Sequence, residues 1–260
     1  MKVRAAFDRR IMELARKSLK SVLVLAGAFI VLASAVTFGR AQETFESEKA
    51  LNAWMMNYYL KPDPDRVGAG LLYFSDSPRF QTSGAMPMLG FFSALFRHDS
   101  RLASRVFDEL NSGSSENAKL FMVNVLSLAN SAEAKVLLER AKTSWQSERL
   151  QQEISRQLAR PQDDLYKVPV ENIQVLDMLW GEFFATGDAL PIKRIISVLR
   201  LARDDRRSAF AFGTASIMAF NAKNQPRLLE IYKIELTTAE GVTKELLESI
   251  IKKATELSLQ

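Results

Sequence analysis

The sequence predicts an all-α fold: an array of antiparallel helix hairpins winding into a superhelix, after an N-terminal hydrophobic helix. Three observations carry that expectation. No stretch alternates apolar and polar residues at a period of two, as half-buried strands do. Glycine and proline are sparse, 11 and 8 in 260 residues, and fall mostly between stretches whose apolar residues recur at i, i+3, i+4 and i+7. Helix breakers then recur at a loose interval. With turns taken at residues 63, 99, 131, 188 and 224, the gaps are 36, 32, 57 and 36, mostly the length of a two-helix repeat.

The chain opens on a basic segment, residues 1–20. Residues 1–41 hold eight basic side chains against Asp8 and Glu13, a net +6, whereas residues 42–260 hold 27 basic and 28 acidic groups, a net −1. The formal charge of +5 therefore belongs to the N-terminal segment. An uncharged apolar run comes next, beginning at Val22 and ending at Phe38. At 1.5 Å per residue it spans roughly 25 Å, close to the thickness of a bilayer core. A basic flank before such a run places the N-terminus in the cytoplasm and exports the rest of the chain. Residues 21–41 are thus expected to be a transmembrane anchor in a bacterial inner membrane. The alternative is a signal peptide cut near Ala35 or Ala41, which releases residues 42–260 to the periplasm.

Residues 42–260 read as one exported helical domain. Lys61-Pro62-Asp63-Pro64-Asp65 ends a first helix that carries Ala50, Trp54 and Tyr58. His98-Asp99-Ser100 follows LGFFSALF, and Asn130-Ser131 follows FMVNVLSLA. The wide gap contains an additional polar helix over 143–158 and a loop, so residues 143–170 form an insert. Gly187-Asp188 follows LDMLWGEFFAT, and Asn224-Gln225-Pro226 follows SIMAFNA. Asp99, Ser131 and Asp188 are expected N-caps, and Gly187 is the left-handed residue that stops the helix before it. Residues 208–220 are apolar but too short to span a bilayer, and read as a buried core helix. A helix over 243–258 with polar faces reads as the terminal cap of the array.

The segment LWGEFFATGDALPIKRIISVLRLA resembles a degenerate tetratricopeptide or Sel1-type hairpin. In that pattern an aromatic, a small residue such as Gly181, a second aromatic such as Phe184 and a turn glycine precede the second helix. Here the turn glycine comes one residue early, and Lys193 or Arg194 replaces the small residue of the second helix. The resemblance implies a hairpin that packs on its neighbours. The chain also resembles bacterial envelope proteins bearing a Trp-Gly-x-Phe-Phe-Ala-Thr-Gly segment, a likeness that implies no activity.

Composition weighs against chemistry. There is no cysteine and one histidine, His98, so thiolate chemistry and Cys/His metal sites have no residues to build them. Asp63-Pro64-Asp65 lacks the ligand count of a calcium loop. Gly68-Ala69-Gly70 is not followed by the Lys-Ser/Thr of a phosphate loop. Asp177 and Glu182 flank Trp180 and could be a carboxylate pair, but five residues place them on different sides of a helix. A domain of net −1 offers no electrostatic footprint for nucleic acid. No catalytic residue, metal or cofactor is therefore expected. The aromatics recur at helical spacing, which suits a core. Trp54, Tyr58, Trp180, Glu182 and Phe184 are the candidates for a groove that holds a partner. The expected function is a non-enzymatic envelope scaffold that binds another envelope protein. Binding of a peptide or small ligand is the alternative, and a peptidoglycan hydrolase using Glu182 is a further one.

Overall fold

A computed structural model describes residues 44–160 and 164–258. The basic segment, the apolar run over 22–38 and both expected cleavage positions lie outside the described residues. Within them every regular element is helical, and no helix is long and apolar enough to cross a membrane.

The α-helices are α1 (Glu48–Asn57), α2 (Val67–Ser75), α3 (Met86–His98), α4 (Ser100–Asn111), α5 (Glu116–Ala129), α6 (Ala132–Ser144), α7 (Glu148–Ala159), α8 (Ile173–Thr186), α9 (Ala189–Ile196), α10 (Ser208–Ala222), α11 (Pro226–Leu236) and α12 (Gly241–Ser258). Short 3-10 turns at Pro64–Arg66, Pro78–Gln81, Ser83–Ala85 and Ser197–Arg203 bend the connections.

Local chemistry explains most boundaries. The side chains of Ser47, Asp99, Ser115, Ser131 and Asn172 accept backbone N–H groups of the helices they precede, satisfying donors that a first turn leaves unpaired. Asp188 does not cap: its side chain makes no such bond, and instead its own N–H donates to the Thr186 hydroxyl. Gly187 stops α8 at φ 71°, and Asn130 stops α5 at φ 49°, both in the left-handed region that closes a helix.

Two expectations shift. The polar insert helix splits differently from the expected 143–158, because α6 runs on to Ser144 and α7 begins at Glu148. Trp145 causes the break. Its backbone is extended, its ring stacks on Phe107 at 5.0 Å, and its indole N–H donates to Asn111 at 3.0 Å. Burying that large ring outweighs continuing the helix. The second shift concerns α10, expected to be a buried core helix. One side of it is buried, through Ala211, Thr214, Ala215, Met218, Ala219 and Ala222, but Phe212 and Phe220 are exposed.

Helices α2, α4 and α6 pack side by side, as do α3, α5 and α7. The most extensive interface, however, joins α3 to α8, across four intervening helices. It is close because two glycines make it so. A Cβ added at Gly90 would lie 2.1 Å from the Met178 carbonyl oxygen, and one at Gly181 would lie 1.9 Å from that of Pro87. The two backbones touch directly, nearer than side chains permit in ordinary helix pairs. Around α8 pack α1 and α9, and α10, α11 and α12 follow with the last 3-10 turn. The end of α1 is fastened to the later chain. The Tyr59 N–H donates to the Phe184 carbonyl at 3.2 Å and its hydroxyl to Gln225 at 2.6 Å, while the Gln225 amide donates to the Met56 carbonyl at 2.9 Å.

Candidate functional site

Four of the five groove candidates are packed inside the protein. Tyr58, Trp180, Glu182 and Phe184 are all buried, each no more than 5% exposed. Trp54 is half-buried and meets Tyr58 and Phe91 edge-on, with ring centres 5.3 Å apart in each pair. Trp180 stacks on Phe184 at 6.0 Å. These rings fill the α1–α3–α8 core, where apolar area is removed from water.

Glu182 sits in a polar knot inside that core. Its Oε1 accepts from Arg97 Nη1 and from the Tyr166 hydroxyl, both at 2.7 Å. Arg97 also donates to the Ala129 and Leu128 carbonyls at the end of α5. One guanidinium therefore joins α3, α5 and α8, and the Tyr166 bond pins the connection between α7 and α8. Burial and the neighbouring Glu182 carboxylate push the Tyr166 hydroxyl well above its ordinary range. Both bonds fall on Oε1, while Oε2 is buried without a hydrogen-bond partner among the described residues. Asp177, three residues before Trp180, makes no hydrogen bond or ion pair among the described residues, and burial pushes its carboxyl up to about 6. His98 is exposed at the end of α3. Among the described residues no three His, Asp or Glu side chains cluster to hold a metal ion.

The open concavity lies along α3, α5 and α7. A cavity of about 280 Å³ is walled by Leu89, Leu128, Leu165, Val168, Val175 and Met178. A second, of about 370 Å³, lies between α5 and α7 beside Phe80, Leu120, Arg149, Gln152 and Arg156. Asn124 lines both, so the two cavities adjoin along α5.

The floor is held by amides. The Gln157 amide donates to Asn124 at 3.2 Å and to Glu153 at 2.7 Å, and its carbonyl oxygen accepts from Ser127 at 2.7 Å. Gln157 is 8% exposed and its donors and acceptor are paired, as a buried amide requires. One rim is polar: Arg149, Gln152 and Arg156 project from α7 at positions i, i+3 and i+7, one stripe of a helix. Arg156 is paired with Glu153 at 2.6 Å. The other rim is aliphatic and is closed by the connection over 164–172, which Leu165 and Val170 bury and which Arg194 anchors by donating to the Val168 carbonyl.

None of these groove residues was among the sequence candidates, although signals existed. Asn124 and Ser127 interrupt the otherwise apolar FMVNVLSLA at a spacing of three, and arginines recur along the insert helix. Which polar stripe faces a neighbour and which faces water depends on packing across α5 and α7. Aromatic size drew attention to the core instead. Comparison with known proteins finds no matching family model, no matching curated protein and no matching solved structure.

Proposed function

We propose that this protein is a non-enzymatic, membrane-tethered envelope scaffold that holds a segment of another protein in the groove along α3, α5 and α7. The observation that carries the reading is the pair of adjoining cavities that share Asn124, one with an aliphatic wall and the other with an arginine–amide rim. Stacked hairpins of α2 to α7, related to tetratricopeptide-type arrays, account for its shape. Neighbouring hairpins that pack in order leave an extended concave face. An apolar wall accepts side chains of an extended segment, and amide and guanidinium groups match its carbonyls. Anchoring through residues 22–38 is part of the proposal, as is the periplasmic position of the body.

The test is site-specific photo-crosslinking in the full-length chain. A photoreactive residue in place of Gln152, exposed on the groove rim, is expected to trap one discrete protein product in intact envelopes. The same residue in place of Val136, exposed on α6 outside the groove lining, is expected to trap none. Replacing Arg149 and Arg156 by Ala is expected to lower the yield without changing the melting temperature, because both are exposed and weakly paired. Equal products from both positions, or none from either, would overturn the reading.

A further inference from the structure

The stretch from Arg194 to Arg207 carries five arginines against Asp204 and Asp205. Its backbone sorts them. Past Ile196, α9 tightens into the 3-10 turn Ser197–Arg203. Three residues advance about 300° on an α-helix but a full turn on a 3-10 helix, so side chains at i and i+3 eclipse. Ser197 and Arg200 therefore stand in one line, with Arg194 a step before them. The connection over 164–172 passes beside this line, and Arg194 donates to its Val168 carbonyl. Arg207 meets the same connection through Glu171, at 3.7 Å. A cavity of about 110 Å³ lies where they converge, lined by Arg194, Ser197, Arg200 and Arg207 together with Val170 and Glu171. It has the volume of several waters at roughly 30 Å³ each.

Charge in this cavity is not balanced. Arg194 bonds a carbonyl, which has no formal charge, and makes no ion pair among the described residues. Arg200 makes neither a hydrogen bond nor an ion pair among them. Arg207 is divided between Asp204 at 2.8 Å and Glu171, whose side chain is 64% exposed. The lining thus sums to +2, and to +1 when Asp204 beside it is counted. Guanidinium groups gathered around one small cavity repel one another. Their planar forks of N–H donors match the edges of an oxyanion. A carboxylate presents two oxygens in one plane, whereas a phosphate presents oxygens in several directions and carries a charge that offsets the lining.

We propose that this cavity binds a phosphate group, either the free ion or the end of a small phosphate monoester, with Arg194, Arg200 and Arg207 as its donors. Bound there, it ties the connection over 164–172 to the turn Ser197–Arg203. Val168 of that connection also walls the 280 Å³ cavity, so the anion braces that wall as well. The proposal stands apart from the anchor and from what the groove holds.

The test uses the full-length chain in non-ionic detergent, at constant ionic strength with chloride as the balancing anion. Phosphate is expected to raise the melting temperature by several degrees and saturably, as a ligand of the folded state does. Equilibrium dialysis with radiolabelled phosphate then compares variants. Arg200→Gln is expected to weaken binding about tenfold or more. Arg206→Gln removes the same charge from an exposed position outside the lining, and is expected to change binding less than about twofold. Arg200→Lys keeps the charge without the fork, and is expected to fall between. Both glutamine variants are expected to melt with the parent in chloride, because neither arginine makes an ion pair among the described residues. Glycerol phosphate binding more tightly than inorganic phosphate would assign the ester, and the reverse order the free ion. Three results would each overturn the proposal: no saturable phosphate binding, acetate binding as tightly as phosphate, or equal effects of Arg200→Gln and Arg206→Gln.

Discussion

At the scale of single residues, titration and volume expose what the fold tolerates. Asp177 is half-buried on α8 with its carboxyl pushed up to about 6 from 3.8 by burial alone. A carboxyl with a raised folded pKa binds protons more tightly when folded. Its contribution is therefore fully present below about pH 4 and is lost as pH rises through about 6. Asp177→Asn removes that loss. The variant is expected to melt a few degrees above the parent at pH 8 and level with it at pH 4, as thermal unfolding followed by circular dichroism would reveal. Glu182 shows the opposite solution for a buried carboxylate: Arg97 and Tyr166 both bond its Oε1. Alternating isolation and pairing on one helix could not be read from spacing alone. The spacing argument did separate the two carboxylates, and it did not foresee that Glu182 would be enclosed.

At the scale of elements, the α3–α8 pair carries the fold. Side chains usually hold helices 8–10 Å apart. Here Gly90 and Gly181 let the backbones touch, with Ala94 and Ala185 buried one turn on. Gly90→Ala and Gly181→Ala would each drive a methyl into a carbonyl that cannot yield, and each is expected to cost about 3 kcal/mol or to prevent folding. Gly213→Ala meets open space within a helix, so it is expected to stabilise by about 0.5–1 kcal/mol. Urea denaturation of the three variants would order them. Identical midpoints for Gly90→Ala and Gly213→Ala would contradict the direct backbone contact. Element boundaries were legible because caps are local: Asp99, Ser131 and Gly187 act within a few residues of themselves. The Ser112–Ser115 break between α4 and α5 carries its own signal in Gly113, although its residues are too polar and short to register as a repeat boundary.

At the scale of the whole molecule, closure matters more than sequential stacking. A purely sequential array places each hairpin on its neighbours alone. This chain returns to α3 after four helices, and Tyr59 and Gln225 close a link over 166 residues. The buried faces of α3 and α1 are thus completed by residues beyond 172. A chain cut after residue 172 would expose Phe91 and Trp54 and leave Gly90 unpacked. It is expected to show no cooperative melting transition, whereas the intact chain melts as one unit. A sharp transition in the shortened chain would mean that α1 to α7 fold without α8.

The sequence by itself determined that the chain is helical, where most helices stop, and that its excess positive charge lies before residue 42, because periodicity, caps and charge are properties of neighbouring residues. Tertiary structure alone decided which stripe of each helix is covered. It placed Trp180 and Phe184 in the core, opened a groove at Asn124 and Arg156, and left Phe212 and Phe220 outside. The reason is physical. A helix fixes the angles between its side chains, but burial is settled by the partner that meets it, and α3 meets a partner more than seventy residues away.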